Sequence, residues 1–150
     1  MKQPLPQMLF VEDDANDIEL FKHALSKNIP GDAAIFVRDG MEALSYLAGR
    51  SPDPSAESRL PMAVVTDIRM PKIDGFTLIQ TIRRSPNTRW LPVIILTTSN
   101  NPHDIRRSYE LGANAYVIKP DNVGLLTETL KYVFNFWAMI NEVSCGREYE

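Results

Sequence analysis

The sequence predicts an α/β domain built on a doubly wound sheet of five parallel strands. Short apolar runs rich in branched residues alternate with segments of helical period, and the alternation repeats five times along the chain. That is the pattern of βαβ units around a sheet covered on both faces. A length of 150 residues suits one domain, and 44% hydrophobic residues supply enough apolar side chain for its core.

The first strand is expected over about residues 7–12 and the first helix over about 15–27, where Ile18, Phe21 and Leu25 recur at core spacing. Asp14 stands where it can cap that helix, and Asp17 adds negative charge to its first turn. Ala34-Ile35-Phe36-Val37 forms the second strand. The second helix follows Asp39-Gly40 and is expected to carry Met41, Leu44, Leu47 and Ala48 inward. Residues 49–61 hold Pro52, Pro54 and Pro61 with Ser51, Ser55 and Ser58, and read as a loop long enough to suggest an exposed extension.

Met62 to Thr66 is the third strand, and the third helix starts near Gly75, presents Phe76, Ile79 and Ile82, and ends before Pro86. Pro92 to Leu96 is the fourth strand. The fourth helix opens after Asn101-Pro102 and closes at Leu111-Gly112, a fitting C-terminal signal. Ala115 to Ile118 is the fifth strand. The fifth helix spans about 122–140, with Leu126, Leu130, Val133, Phe134, Trp137 and Ile140 on one side. Phe136 and Trp137 fall on neighbouring faces, so one of them is left near the surface. With no linker or low-complexity tract, residues 1–150 read as a single domain with its core at about 7–141 and a polar tail at 142–150.

With 16 basic and 19 acidic residues the net charge is -3, which argues against a nucleic-acid partner. The basic clusters Arg83-Arg84, Arg89 and Arg106-Arg107 read as solvated helix faces. Cys145 has no disulfide partner and no His or Cys neighbour at ligand spacing, and His23 and His103 likewise read as solvated. No apolar stretch reaches the length of a membrane span, and the first residues lack the apolar run of a secretory signal. A cytoplasmic location without membrane contact is the expectation.

In an open parallel sheet, ligands gather beyond the carboxyl ends of the strands. Those ends carry Glu12-Asp13-Asp14, Asp67, Thr97-Thr98-Ser99 and Lys119-Pro120. A carboxylate at the end of a buried strand, such as Asp67 after Met62-Ala63-Val64-Val65-Thr66, needs a partner. If the ends converge, their carboxylates cannot all remain ionised without a cation, and oxygen ligands suit Mg²⁺. Lys119 adds a positive point charge and Thr97 a hydroxyl donor, both suited to an anion arriving at the metal. The set describes phosphoryl transfer onto Asp67 as a carboxylate nucleophile.

On these motifs the chain resembles the response-regulator receiver family of two-component signalling. They are Val11-Glu12-Asp13-Asp14, Asp67-Ile68-Arg69-Met70-Pro71-Lys72-Ile73-Asp74-Gly75, Leu96-Thr97-Thr98 and Ala115-Tyr116-Val117-Ile118-Lys119-Pro120, and the likeness covers about residues 8–140. The resemblance implies the flavodoxin-like strand order 2-1-3-4-5, with Asp67 as phospho-acceptor. It implies Asp13 and Asp67 as Mg²⁺ ligands, Glu12 acting through water, and the backbone carbonyl of Arg69 completing the protein ligands. Thr97 and Lys119 would bind phosphoryl oxygens, Pro120 would follow a cis peptide bond, and Tyr116 would turn inward with Thr97 as a switch. Asp14 matches a variable position and stays assigned to capping. The first helix, the loop before the third strand, Thr97-Thr98-Ser99 and Phe134-Asn135-Phe136-Trp137 look most like stand-alone receivers paired with bacterial phytochrome-type kinases. That likeness implies a sensor histidine kinase as partner, a bacteriophytochrome among the candidates, and suggests a homodimer.

Other functions fit less well. A phosphatase of the haloacid-dehalogenase type needs a second acid two residues after its nucleophile, where this chain has Arg69. A flavodoxin-like cofactor carrier needs a neutral phosphate-binding loop after the first strand, where Glu12-Asp13-Asp14 would repel the phosphate. A pseudo-receiver acting as an interaction module without phosphorylation stays open. The expected protein is not an enzyme beyond its own phosphorylation and slow hydrolysis.

Overall fold

The computed structural model describes residues 6–27 and 29–144, so Cys145 and the tail beyond Ser144 lie outside the described residues. Five strands, β1 (Met8–Val11), β2 (Ala34–Val37), β3 (Ala63–Thr66), β4 (Val93–Thr97) and β5 (Ala115–Ile118), alternate with five α-helices. These are α1 (Ala15–Ser26), α2 (Gly40–Ala48), α3 (Gly75–Arg84), α4 (Pro102–Leu111) and α5 (Val123–Phe134), the last running into a π-helical turn, Asn135–Ile140. The sheet order is β2-β1-β3-β4-β5 and every pairing is parallel.

The strands β1, β3 and β4 are buried along their whole length because both faces are covered. Alternate residues serve two cores. Met8, Phe10, Val65, Ile94 and Leu96 pack against Phe21, Leu25, Leu130 and Phe134 of α1 and α5. Leu9, Val11, Val64, Val93 and Ile95 pack against Leu47, Leu78, Ile79 and Ile82 of α2 and α3. Each such side chain contributes about 1.5–3 kcal/mol by leaving water.

Every helix starts on a short polar cap. Asp14, Asp39, Asp74, Asn101 and Asn122 accept from the backbone N–H groups of Asn16, Glu42, Thr77, His103 and Leu125 at 2.8, 2.8, 2.8, 2.9 and 3.0 Å. A cap of this kind stabilises by about 1 kcal/mol and fixes where the chain turns from strand end into helix.

Three expectations need correction. Helix α2 buries Gly40, Ala43 and Leu47, whereas Met41 and Ala48 face solvent and Leu44 is half-buried. A Cβ on Gly40 would lie 2.9 Å from Ile73 Cβ, so this first turn approaches its neighbour through its smallest residue and turns Met41 away. At the other end of the chain, Ile140 is 66% exposed and Ala138 is buried instead. The π-turn, closed by Asn141 N–H donating to the Phe136 carbonyl at 2.7 Å, advances the helix by fewer degrees per residue and shifts the apolar stripe out of phase. Phe136 is left exposed, its ring edge-on to the half-buried Trp137 at 4.9 Å.

The third correction concerns Pro120. None of the described peptide bonds is cis, the bond before Pro120 included. Trans is the lower-energy form of such a bond by about 0.5–1 kcal/mol, and Lys119 N–H still reaches the Thr97 carbonyl at 2.7 Å with that bond trans.

The loop at 49–61 folds back on itself. Ser51 N–H donates to the Ser58 carbonyl at 2.6 Å, and Leu60 N–H to the Ser51 carbonyl at 3.0 Å. With Trp90 and Val143 it borders a cavity of about 280 Å³ at the N-terminal edge of the sheet, opposite the acidic strand ends. Among the described residues no helix is long and apolar enough to cross a membrane.

Candidate functional site: an acidic pocket around Lys119

The sheet brings the carboxyl ends of β1, β3, β4 and β5 side by side. Asp67 N–H donates to the Val11 carbonyl at 3.3 Å, which ties the end of β3 to the end of β1. Carboxylate oxygens of Glu12, Asp13 and Asp67 all lie within 4.8 Å of one another. Glu12 is buried, Asp67 is half-buried and Asp13 faces solvent, so the cluster forms the mouth of a pocket.

Lys119, 8% exposed, enters from the end of β5 and donates to Glu12 Oε2 at 2.7 Å, Asp17 Oδ2 at 3.1 Å and Asp67 Oδ2 at 3.3 Å. The remaining Asp67 oxygen, Oδ1, accepts from Ile68 N–H at 2.7 Å. Gly75 lets α3 begin directly against this loop, for a Cβ there would collide with the Asp67 carbonyl and come within 2.9 Å of Ile68 Cα. Lys72 in the same loop adopts a φ of 67°, and its ammonium lies 3.4 Å from Asp39.

Burial lifts the Glu12 carboxyl from its ordinary 4.5 to about 7, against the opposing pull of Lys119. For Lys119, burial works to lower the pKa, but the Glu12 hydrogen bond and the charge of Asp67 outweigh it and hold the ammonium above its ordinary value. The pocket therefore keeps its cation and carries a surplus of carboxylate, which a divalent cation would neutralise. Oxygen donors at this spacing suit one hard ion with its waters, and the trio fits such a group.

Thr97 ends β4 with 3% exposure, and its hydroxyl oxygen accepts from Ser99 N–H at 3.3 Å, whereas Thr98 faces solvent. Tyr116 is half-buried and donates its hydroxyl to the Ser99 carbonyl at 2.8 Å, and burial raises its pKa. Arg69, two residues beyond Asp67, extends a 72% exposed side chain to Asp104 Oδ2 at 3.0 Å. Asp14 caps α1, and Asp67, Asp13, Glu12, Lys119 and Thr97 come together at this end of the sheet.

Sequence reasoning missed Asp104 and the roles of two residues it had named, Asp17 and Ser99. Asp17 was expected only to favour the first turn of α1, yet it reaches Lys119. Asp104 and Ser99, joined by the Ser99 hydroxyl at 2.7 Å, form a polar bridge from Arg69 to the loop that holds Tyr116. An acid three residues after a capping Asp14 that itself follows a strand end was the available signal for Asp17; nothing local marked the Asp104 bridge.

The family model described as the response regulator receiver domain matches residues 8–131. The chain belongs to that receiver family. Response regulator Rcp1 of a Synechocystis strain is 31% identical over 134 residues, covering 89% of this chain and 90% of that protein. Among solved structures, the phosphorylated cyanobacterial phytochrome response regulator RcpA superposes with a TM-score of 0.82 at 33% identity, covering 94% of this chain and 99% of the other. A Mn²⁺-bound form of Rcp1 superposes with a TM-score of 0.77 at 29% identity, covering 92% and 99%. This receiver is thus homologous to phytochrome-associated response regulators and has the phosphorelay receiver function of its family. Its acidic trio is of the kind that holds a divalent cation, a receiver implies a histidine kinase as partner, and receivers of this kind are generally not enzymes.

Proposed function

We propose that this receiver accepts a phosphoryl group on Asp67 from the phosphohistidine of a sensor kinase of the phytochrome type. The observation that carries this is the convergence of Glu12, Asp13, Asp67 and Lys119 in one solvent-open pocket. An Asp67 oxygen forms the bond to phosphorus as the P–N bond of the donor breaks, and the electron pair leaves on the imidazole nitrogen, which takes up a proton. Mg²⁺, held by Asp13, Asp67, Glu12 through water and the Arg69 carbonyl, would supply charge neutralisation for the incoming oxygens. Lys119 and the Thr97 hydroxyl donate to the phosphoryl oxygens, and the same groups support the slow hydrolysis that resets the protein.

Output passes through protein contacts. As Thr97 turns to the phosphoryl group, Tyr116 follows it inward and alters the face of α4, β5 and α5, where Tyr109, Ile118, Val123 and Leu125 are exposed. We read the protein as a single receiver domain in the cytoplasm, with a homodimer as its assembled form. Incubation with acetyl phosphate and Mg²⁺ should add the mass of one phosphoryl group to the wild type and none to Asp67→Asn. No gain in either would leave a phosphorylation-independent interaction module.

A further inference from the structure

An ammonium group has three N–H donors, and in Lys119 all of them are taken by carboxylates, those of Glu12, Asp17 and Asp67. A phosphoryl oxygen can gain a Lys119 hydrogen bond only if one of these partners lets go. The three differ in what release costs them. The Glu12 side chain is 3% exposed and cannot recover water, and the Asp67 side chain, 16% exposed, keeps its charge and its hold on Lys119 until its bond to phosphorus forms. The Asp17 side chain is 31% exposed and stands in the first turn of a helix already capped by Asp14, so its carboxylate returns to solvent at small cost.

From this stoichiometry we infer that Asp17 is a positioning residue for phosphoryl transfer: it occupies the Lys119 donor in the resting receiver and is displaced by the incoming phosphoryl oxygen. The inference rests on Asp67 being the acceptor. Asp17 competes with every bound anion, before and during transfer alike, so its removal tightens binding without changing the chemical step. It holds Lys119 aimed at Asp67 while the site waits, and it is not one of the metal-holding trio.

The test is the rate of phosphorylation by acetyl phosphate in saturating Mg²⁺, whose transfer releases acetate, followed over a range of donor concentrations. Asp17→Asn should lower the half-saturating concentration about two- to five-fold, in line with a partly exposed ion pair, and leave the maximal rate unchanged. Glu19→Gln, which removes an exposed charge on the same helix without touching Lys119, should match the wild type, and Asp17→Glu should restore wild-type behaviour. An unchanged half-saturation in Asp17→Asn, or an equal drop in Glu19→Gln, overturns the competition. If the wild type takes up no phosphoryl group at all, the assignment of Asp67 fails and this inference with it.

Discussion

Lys119 Nζ lies 2.7 Å from Glu12 Oε2, and neither side chain is more than 6% exposed. Desolvating two charges costs several kcal/mol each, so a buried pair is weak evidence of stabilisation. The pair is better understood as a poised site whose charge balance changes when a metal or a phosphoryl group arrives.

Glu12 should make stability and metal binding depend on pH. Its folded carboxyl, lifted to about 7 by burial, holds a proton that an unfolded carboxyl with the ordinary 4.5 has released. Stability from this group is complete below the unfolded value and is lost as pH rises through about 7. In chelator, the melting temperature should therefore fall between about pH 4.5 and 7 more steeply in wild type than in Glu12→Gln. Mg²⁺ should take the place of the proton, so calorimetry should find weaker binding at pH 6 than at pH 8, by up to about ten-fold, with proton release. Equal affinities at both values would remove Glu12 from the account.

Lys119→Met should strand Glu12 in the core without a counter-ion. The expected loss is about 3 kcal/mol at pH 8, shrinking as the pH drops and Glu12 takes up a proton. Denaturant unfolding at two pH values reads this directly. Glu12→Gln combined with Lys119→Met should recover most of the loss, and a pH-independent deficit would contradict the pairing.

Gly75→Ala should damage the site more than its size suggests. The new methyl group must push against the loop carrying Asp67 and Ile68, at an overpacking cost of about 1–3 kcal/mol. Because that loop holds the acceptor, Mg²⁺ affinity should fall together with stability. A variant as unstable as predicted but with wild-type metal binding would separate the loop from the site.

Arg83 was expected on a solvated helix face but is half-buried against backbone carbonyls, away from the acidic pocket. Its guanidinium donates to the Gly112 carbonyl at 2.7 Å, the Leu91 carbonyl at 2.6 Å and Asn114 Oδ1 at 2.8 Å, fastening the C-terminal end of α4. There Gly112, with a φ of 111°, lets the chain leave the helix. Arg83→Met should cost about 2 kcal/mol in denaturant unfolding through unpaired carbonyls and leave Mg²⁺ binding unaltered.

The strand ends were legible because strands of a doubly covered sheet are written as continuous apolar runs, each closed by the polar residues that now surround Lys119. Helix starts were legible from residues that bond their own backbone, Asp14 being the clearest. Facing directions were less so. Whether Met41 or Ala43 points inward depends on a one-residue phase set by how closely Gly40 approaches Ile73, and that is a tertiary quantity. Asp17 and Asp104 escaped for the same reason, since their partners Lys119 and Arg69 lie 102 and 35 residues away. The cis bond expected before Pro120 came from family likeness, and no described peptide bond adopts it.

The wide turn at Asn135–Ile140 behaves as one surplus residue accommodated inside a helix. Excising a single position there would rewind the segment to ordinary pitch and leave the later side chains facing as they do now, whereas the same excision in an ordinary helix would swing them by about a quarter of a revolution. Met139 and Ile140 would stay outward and Ala138 inward, so this end of the protein tolerates a change of chain length that a regular helix would pass on to its whole remaining surface.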